Sequence, residues 1–262
     1  MMSNGEKSSQ LMYSAAQNLG TQLKWNEDSI LGFVSSVCSE QLTTDFGLFL
    51  LADGMGGYEE GVKASSMAIS TLASQIIRKV YLPLLHPSIP YDQEPLQEIL
   101  AEGMLDIHQK IQRETQGAGT TLTAVVFLGE TMHVAHIGDS RAYLVDSAGV
   151  LSQITQDQSY SQRLVDMGQM TEEESRTDPR RNELFAALGK GDTANPIIFS
   201  QKRPTAGFLF LCSDGMWEVI RKDDLQNLFA SSKSPAIICD DLISAAIYAG
   251  AADNVSVIVA KL

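Results

Sequence analysis

The sequence has few cysteines and histidines, the residues that form disulfide bonds and structural zinc sites in small domains. Its 262 residues include 3 cysteines and 4 histidines. Cys38, Cys212 and Cys239 lie far apart, with no C-x-x-C pair and no histidines at zinc-finger spacing, which argues against a disulfide framework and a structural zinc. No apolar run approaches the roughly 18 residues of a membrane span, and the first residues are polar. We therefore predict a cytoplasmic protein without a membrane partner.

Positive charge is also scarce. The chain carries 19 Lys and Arg against 32 Asp and Glu, a formal net charge of −13. Such a surface argues against a nucleic-acid partner, because binding a phosphate backbone requires a basic face. It also repels a phosphorylated substrate, so an enzyme acting on phosphate would need a local positive centre, which metal ions can supply.

Linkers are the third absence: the sequence has no long Gly/Ser tract, charge block or low-complexity segment. We therefore expect a single domain over residues 1–262. Apolar runs predict strands, and most are joined by short connections, which favours antiparallel hairpins over a βαβ order. The predicted strands are Phe46–Ala52, Thr121–Leu128, Thr131–Ile137, Arg141–Asp146, Pro196–Phe199, Gly207–Ser213 and Asn254–Ala260.

Three other segments have the apolar spacing of helices, with repeats at three and four residues: Val62–Tyr81, Leu96–Glu114 and about Pro235–Ala249. Prolines separate the first two, and Pro95 suits the first turn of the second. The order of strands and helices predicts an α+β fold in which sheets are covered by antiparallel helices. The polar segment 158–188 is expected to be a surface excursion, either a solvated helical arm or an element that faces substrate.

Aspartates stand at the ends of several predicted strands. Asp53 and Asp214 each begin an Asp-Gly-Met tripeptide after an apolar run, Asp139 follows another strand, and Asp253 precedes the last one. A single Asp-Gly can be a turn and nothing more. Strands of one core deliver their ends to common edges, however, and gathered carboxylates repel one another unless cations separate them. Oxygen ligands with few histidines favour Mg²⁺ or Mn²⁺, and Gly54 allows a backbone carbonyl to approach as a further ligand.

Six motifs follow one another along nearly the whole chain. They are Asn26-Glu27-Asp28, Ala52-Asp53-Gly54-Met55-Gly56-Gly57, Gly119-Thr120-Thr121, Ile137-Gly138-Asp139-Ser140-Arg141, Cys212-Ser213-Asp214-Gly215-Met216-Trp217 and Asp253-Asn254-Val255-Ser256. In this order the set resembles the bacterial metal-dependent Ser/Thr protein phosphatases of type 2C, the PPM family. The segment at about 158–188 is similar to the flap subdomain of that family.

The resemblance implies a four-layer α/β/β/α sandwich, with two central antiparallel sheets flanked by helix pairs and a metal cleft at one edge. It implies two Mn²⁺ or Mg²⁺ ions per chain. By resemblance, Asp53 bridges both ions and the Gly54 carbonyl binds one of them, while Asp214 and Asp253 bind the other. Glu27 and Asp28 resemble the acidic pair that holds one ion, partly through water. Asp139, with Asp214, is similar to the pair that holds a third, weaker ion.

The activity implied is hydrolysis of phosphoserine and phosphothreonine in proteins, opposing a bacterial Ser/Thr kinase. The attacking group would be a hydroxide that bridges the metals, so Asp53, Asp214 and Asp253 would be catalytic through metal-bound water. Two positions depart from the family pattern. Met55 stands where animal members have a histidine, as is common in bacterial ones. Leu23 replaces an arginine that binds substrate phosphate, and Lys24 could replace only its charge. A phosphatase-fold binding protein with weak or no activity, and a dinuclear hydrolase of small phosphate esters, therefore remain as alternatives.

Overall fold

The computed structural model describes residues 11–38, 43–85, 95–230 and 234–262. Its strands are β1 (Met12–Asn18), β2 (Ser29–Cys38), β3 (Thr43–Ala52), β4 (Gly54–Met55), β5 (Gly119–Thr120), β6 (Leu122–Leu128), β7 (Thr131–Ile137), β8 (Arg141–Val145), β9 (Leu151–Gln153), β10 (Ile197–Lys202), β11 (Phe208–Cys212) and β12 (Val255–Lys261). Its α-helices are α1 (Tyr58–Ile76), α2 (Leu82–Leu84), α3 (Leu96–Glu114), α4 (Tyr160–Asp166), α5 (Glu172–Ser175), α6 (Asp214–Trp217), α7 (Lys222–Ala230) and α8 (Pro235–Tyr248).

Two five-stranded sheets form the centre of the molecule. The first has the order β1-β12-β11-β8-β9 and the second the order β10-β7-β6-β3-β2. Neighbouring strands in both sheets are antiparallel. A two-stranded ribbon of β4 and β5 continues from the end of β3. The antiparallel pairing agrees with the prediction, but short connections join only three of these pairs, β2-β3, β6-β7 and β8-β9, in the described part of the chain.

Alternate residues of the central strands enter different cores. In β3, Phe49 and Leu51 pack between the sheets, whereas Leu48 and Leu50 pack against α1 and α3. β12 does the same on the other side, where its odd-numbered valines pack against α8. Because both faces of these strands are covered, they are continuously apolar and not alternating. The four layers are helices, sheet, sheet and helices, which confirms the predicted sandwich.

Each predicted strand is present, with ends shifted by three residues or fewer. α3 has the predicted bounds, with Pro95 as its N-cap residue and not in its first turn. α1 begins earlier than predicted, at Tyr58, and continues through a π-helical turn, Ile77–Tyr81, into α2. Pro83, Pro87 and Pro90 were predicted to break the helical run, but Pro83 lies within α2, where the first turn of a helix tolerates proline. Pro87 and Pro90 lie outside the described residues.

Five strands were not predicted: β1, β2 and β9, which are all at sheet edges, and the two-residue strands β4 and β5. β1 is a run of small and polar residues, half exposed along its length. An edge strand has one partner and often one covered face, so its sequence carries a weak apolar signal. β1 nevertheless positions the site, because its pairing with β12 joins the two ends of the described chain.

Within the described ranges, no helix combines the length and the apolar character needed to cross a bilayer. The cytoplasmic location stays a prediction. Cys212 and Cys239 are free thiols, both buried, as expected for small apolar side chains.

Candidate metal centre

The position of Asp53 is fixed by its main chain. Its N–H donates to Thr121 Oγ1 at 2.9 Å. Its carbonyl accepts from Thr121 N at 2.9 Å and from Thr120 Oγ1 at 2.8 Å. The end of β3 is thereby held by the start of β6, and the carboxylate is not needed to anchor the residue.

Glycines let the loop that carries Glu27 close against this strand end. Gly54 N donates to the Glu27 carbonyl at 3.2 Å. A Cβ on Gly54 would lie 2.3 Å from the Gly61 carbonyl oxygen, and one on Gly61 would lie 1.9 Å from Glu27 Oε2. Neither glycine can gain a side chain without displacing a neighbour. The Glu27 side chain is thus seated against the first turn of α1.

Asn254 joins the first and last parts of the site. Its Oδ1 accepts from Glu27 N at 2.8 Å, and its Nδ2 donates to the carbonyls of Trp25 at 3.0 Å and Leu19 at 3.1 Å. Its own N–H donates to Asp253 Oδ1 at 2.7 Å. One buried amide therefore fixes the Glu27 loop relative to Asp253.

Asp28 is held by a hydrogen bond from Ser256 of β12. Ser256 Oγ donates to Asp28 Oδ2 at 2.6 Å, and Gln17 Nε2 donates to Ser256 Oγ at 2.9 Å. Ser256 N donates to Ser213 Oγ at 2.9 Å, and Ser213 directly precedes Asp214. β1, β11 and β12 thus bring Asp28 and Asp214 to one edge of the first sheet.

Asp214 and Asp139 complete the group. Asp214 opens α6 and is 9% exposed, and in the part of the chain that the structure describes its Oδ1 is buried without a hydrogen-bond partner. Asp139 is 4% exposed and stands just before β8, which pairs with β11. A buried carboxylate oxygen without a donor is costly, so it indicates a partner that the protein chain alone does not supply.

Burial and like charge raise the pKa values of Glu27, Asp28, Asp53, Asp139 and Asp214. Burial, and then the neighbouring Asp28, Asp214, Asp139 and Asp253, raise the pKa of Asp53 well above its ordinary value. Burial raises the pKa of Asp28 to about 7, partly offset by its hydrogen bond from Ser256.

The pKa values of Asp139, Asp214 and Glu27 are raised in the same way. Burial and then Asp157 raise the pKa of Asp139 to about 7. Burial and then Asp139 and Asp253 raise the pKa of Asp214 well above its ordinary value. For Glu27 the causes are burial and Asp253. These mutual effects connect the six predicted carboxylates, so the structure places them in one region of the molecule.

The chain matches the family "Protein phosphatase 2C" over residues 36–236. It belongs to the protein phosphatase 2C family. It is 32% identical over 263 residues to the serine/threonine protein phosphatase PstP of Mycobacterium tuberculosis, an alignment covering 96% of this chain and 45% of PstP. It is 29% identical over 214 residues to the serine/threonine phosphatase stp of Listeria monocytogenes, covering 82% of this chain and 84% of that protein.

The fold agrees with the family as well. A solved structure of the catalytic domain of PstP in complex with two manganese ions superposes with a TM-score of 0.74 at 30% identity, covering 96% of this chain and 98% of that one. The chain spans about half the length of the PstP sequences it matches.

The donors of this phosphatase 2C chain fit divalent cations by chemistry. In the described ranges, no three His, Cys, Asp or Glu side chains stand, as placed, in an arrangement that could hold a metal ion. The six side chains are nevertheless hard oxygen donors: Asp28, Asp139 and Asp214 are buried, Glu27 and Asp53 are half-buried, and Asp253 is exposed. In the described ranges, Asp214 Oδ1 is buried without a hydrogen-bond partner. Carboxylates without cations separate, and cations would draw them inward. The assignment of individual ligands stays a prediction.

Lys24 is not part of the cluster. It is exposed on the loop between β1 and β2, next to Leu23, which is 39% exposed. The predicted phosphate-binding lysine is thus exposed to solvent, three residues before Glu27 in the chain. Its role stays a prediction.

Supporting residues were the part that sequence reasoning missed. Thr121, Asn254 and Ser256 all lie inside the quoted motifs. The sequence did not indicate that they form hydrogen bonds to Asp53, Glu27 and Asp28. His136 is fully buried and bonds to Thr123 Oγ1 at 2.9 Å, in keeping with a structural role. A small polar residue next to a clustered aspartate is the available signal, because a buried carboxylate needs fixed neighbours.

Proposed function

We propose that this chain is a metal-dependent protein Ser/Thr phosphatase. The observation that carries the proposal is the group of carboxylates, three of them buried, with an Asp214 oxygen that has no partner in the described part of the chain, in a phosphatase 2C fold. A polar cluster that is costly in the bare protein is expected only where a ligand offsets that cost. Phosphoproteins are the proposed substrates, because the relatives carry the name of Ser/Thr phosphatases.

In the proposal, two divalent cations, Mn²⁺ or Mg²⁺, are held by Asp53, the Gly54 carbonyl, Asp214, Asp253, Glu27 and Asp28. Asp139 and Asp214 would hold a third, weaker one. When bound, such cations lower the pKa of a water molecule and neutralise phosphoryl oxygens. The count of two cations is supported by the similar structure of the PstP catalytic domain, which was solved in complex with two manganese ions.

The chain's own residues preorganise the site. Thr121 and Thr120 hold Asp53 through its main chain, so this carboxylate can stay in place as charge changes around it. Asn254 keeps the Glu27 loop and Asp253 in register. Lys24, which is exposed, would meet the substrate phosphate as a point charge and not as a bidentate fork. Preorganised groups contribute because they cost no rearrangement when the reaction occurs.

We further propose a single catalytic domain over residues 1–262, with a flap subdomain at about 158–188. α4 and α5 lie in this flap, and α5 begins with a capping box between Thr171 and Glu174. A cognate Ser/Thr kinase is the proposed source of the phosphorylated substrates.

The test is hydrolysis of a phosphothreonine peptide. Release of phosphate should require Mn²⁺ or Mg²⁺ and stop with EDTA. Asp53→Asn and Asp214→Asn should each lower kcat by at least about 100-fold, the scale on which such charged groups act. Asp240→Asn, an exposed change on α8, serves as the matched control and should behave as wild type.

The outcomes separate the alternatives. Metal-independent turnover, or full activity in both cluster variants, would refute the mechanism. Turnover of p-nitrophenyl phosphate without turnover of any phosphopeptide would favour a hydrolase of small esters. Capture of a phosphoprotein without release of phosphate would favour the binding protein.

A further inference from the structure

Trp217 connects two of the clustered carboxylates. It is the last residue of α6, one helical turn after Asp214, and it is 8% exposed. Its indole Nε1 donates to the main-chain carbonyl of Asp139 at 3.0 Å. The same side chain therefore fixes the helix that begins with Asp214 relative to the segment that carries Asp139.

Arg141 fixes the orientation of that indole. Its guanidinium carbon lies 3.8 Å from the centroid of the Trp217 ring. The guanidinium is itself anchored to Asp157, with Nε at 3.0 and 2.9 Å from the two carboxylate oxygens and Nη2 at 2.6 Å from Oδ2. Nη1 donates to the Tyr143 hydroxyl at 3.2 Å. A bidentate, largely buried pair of this kind holds one geometry, so the ring beneath it has little freedom.

The flap contacts the same place from the other side. Arg176 Nη2 donates to the carbonyl of Trp217 at 2.9 Å. Arg181 Nε lies 3.2 Å from Glu218 Oε1. A cleft of about 650 Å³ opens between the flap and α6, lined from both sides by these residues. Contacts from the flap thus converge on the end of α6, where Asp214 is one turn away.

We propose that Arg141 and Trp217 are positioning residues that hold Asp139 and Asp214 at a fixed separation, and that the flap acts on the candidate metal centre through Trp217. The inference rests on the proposed function, because it concerns the same carboxylates. Neither side chain has to touch substrate. Their effect is on the geometry, and hence the affinity, of the site for its cations.

Two conservative variants test this. Trp217→Phe keeps a ring under Arg141 but removes the donor to Asp139. Arg141→Lys keeps the charge but removes the planar fork that binds Asp157 and stacks on the indole. If one variant does not fold, the other still gives the answer.

Arg203→Lys is the matched control. Arg203 also forms a largely buried pair with an aspartate, Asp45, at 3.3 Å, and its guanidinium lies 5.8 Å from the Phe127 ring centroid. Asp45 is near the start of β3, at the opposite end of the strand from Asp53. The control therefore makes the same chemical change far from the carboxylate cluster.

The readout is Mn²⁺ affinity by calorimetry, with kcat and KM for the phosphothreonine peptide at saturating Mn²⁺. Trp217→Phe and Arg141→Lys should bind Mn²⁺ 10- to 100-fold more weakly, roughly the range seen when residues behind metal ligands are changed. KM should change less than about twofold, because neither residue contacts substrate in the proposal.

Each result has one meaning. Wild-type Mn²⁺ affinity in both variants, or an equal loss in Arg203→Lys, would overturn the inference. Mn²⁺ binding by the wild type that weakens in the variants, without any phosphopeptide turnover, would support the inference and refute the proposed function alone. Absence of Mn²⁺ binding by the wild type would overturn both.

Discussion

Asp28→Asn should make the protein more stable when metal is removed. The substitution keeps the shape of the side chain and an oxygen that can accept from Ser256 Oγ, now 2.6 Å from Asp28 Oδ2. What it removes is a buried negative charge beside other negative charges. Without metal, this charge lowers the free energy of unfolding, and a bound cation would offset that loss.

The magnitude follows from the pKa. Burial raises the pKa of Asp28 from 3.8 to about 7. A difference of about 3 units at about 1.4 kcal/mol each sets an upper limit of about 4 kcal/mol above pH 7. The hydrogen bond from Ser256 is weaker to a neutral amide than to a carboxylate, which reduces the gain in stability by about 1 kcal/mol. A net gain of roughly 2 to 3 kcal/mol corresponds to a rise in Tm of about 5 to 10 °C for a chain of this size.

The pKa shift of Asp28 also determines how protein stability changes with pH. Because the folded pKa is raised, the folded protein holds this proton between about pH 4 and pH 7 when the unfolded chain has lost it. This group therefore lowers wild-type stability as pH rises through that window. The difference in Tm, variant minus wild type, should be near zero or negative at pH 4 and reach its full value by pH 8.

The assay is calorimetric unfolding in EDTA at three pH values, with Asp240→Asn as the exposed control, which should show no such pH-dependent difference. Saturating Mn²⁺ should reverse the order, since a ligand at 100 times its Kd adds about 2.7 kcal/mol to the protein that binds it. A lower Tm for Asp28→Asn at pH 8 in EDTA, or a difference that does not vary with pH, would refute the reasoning.

Two further changes test the surroundings of the cluster. Gly61→Ala should leave the metal-free Tm unchanged or raise it, because alanine favours a helix by up to about 1 kcal/mol, yet the new Cβ would displace Glu27 Oε2, now 1.9 Å from that position. We expect the Mn²⁺ concentration for half-maximal activity to rise several-fold, and an unchanged value would show that Glu27 is not a ligand. Leu23→Arg should lower the KM for a phosphopeptide with little change in kcat, and identical KM values would show that another group binds the phosphate.

The predictable parts of this fold are those with strong local signals. α3 was predicted to the residue because its apolar stripe is regular and a proline precedes it. β3 and β12 were found because burial on both faces makes them continuously apolar. β1 was missed since its residues are small and half exposed, and its role depends on pairing with β12, a contact far away in the sequence.

The candidate site divides in the same way. Asp53 and Asp214 could be found because Asp-Gly-Met after an apolar strand occurs twice, and the other carboxylates through strand ends and the resemblance of their motifs. The residues that hold them could not be assigned, because their task depends on three-dimensional neighbours. Nothing local in Trp217 indicates a hydrogen bond to Asp139, and nothing in Arg141 indicates that it stacks on that ring.

The bond from Glu27 N to Asn254 Oδ1 spans 227 positions of the chain. During synthesis, a ribosome that has produced the first two thirds of the polypeptide has therefore made most of the acidic groups but not the strand that brings them into register. Contacts of such long range form late, after the loop-closure entropy of the intervening chain has been overcome. A nascent chain that stops before Asn254 should thus be unable to assemble the centre. Assembly of the site is therefore expected to wait for the segment that contains Asn254.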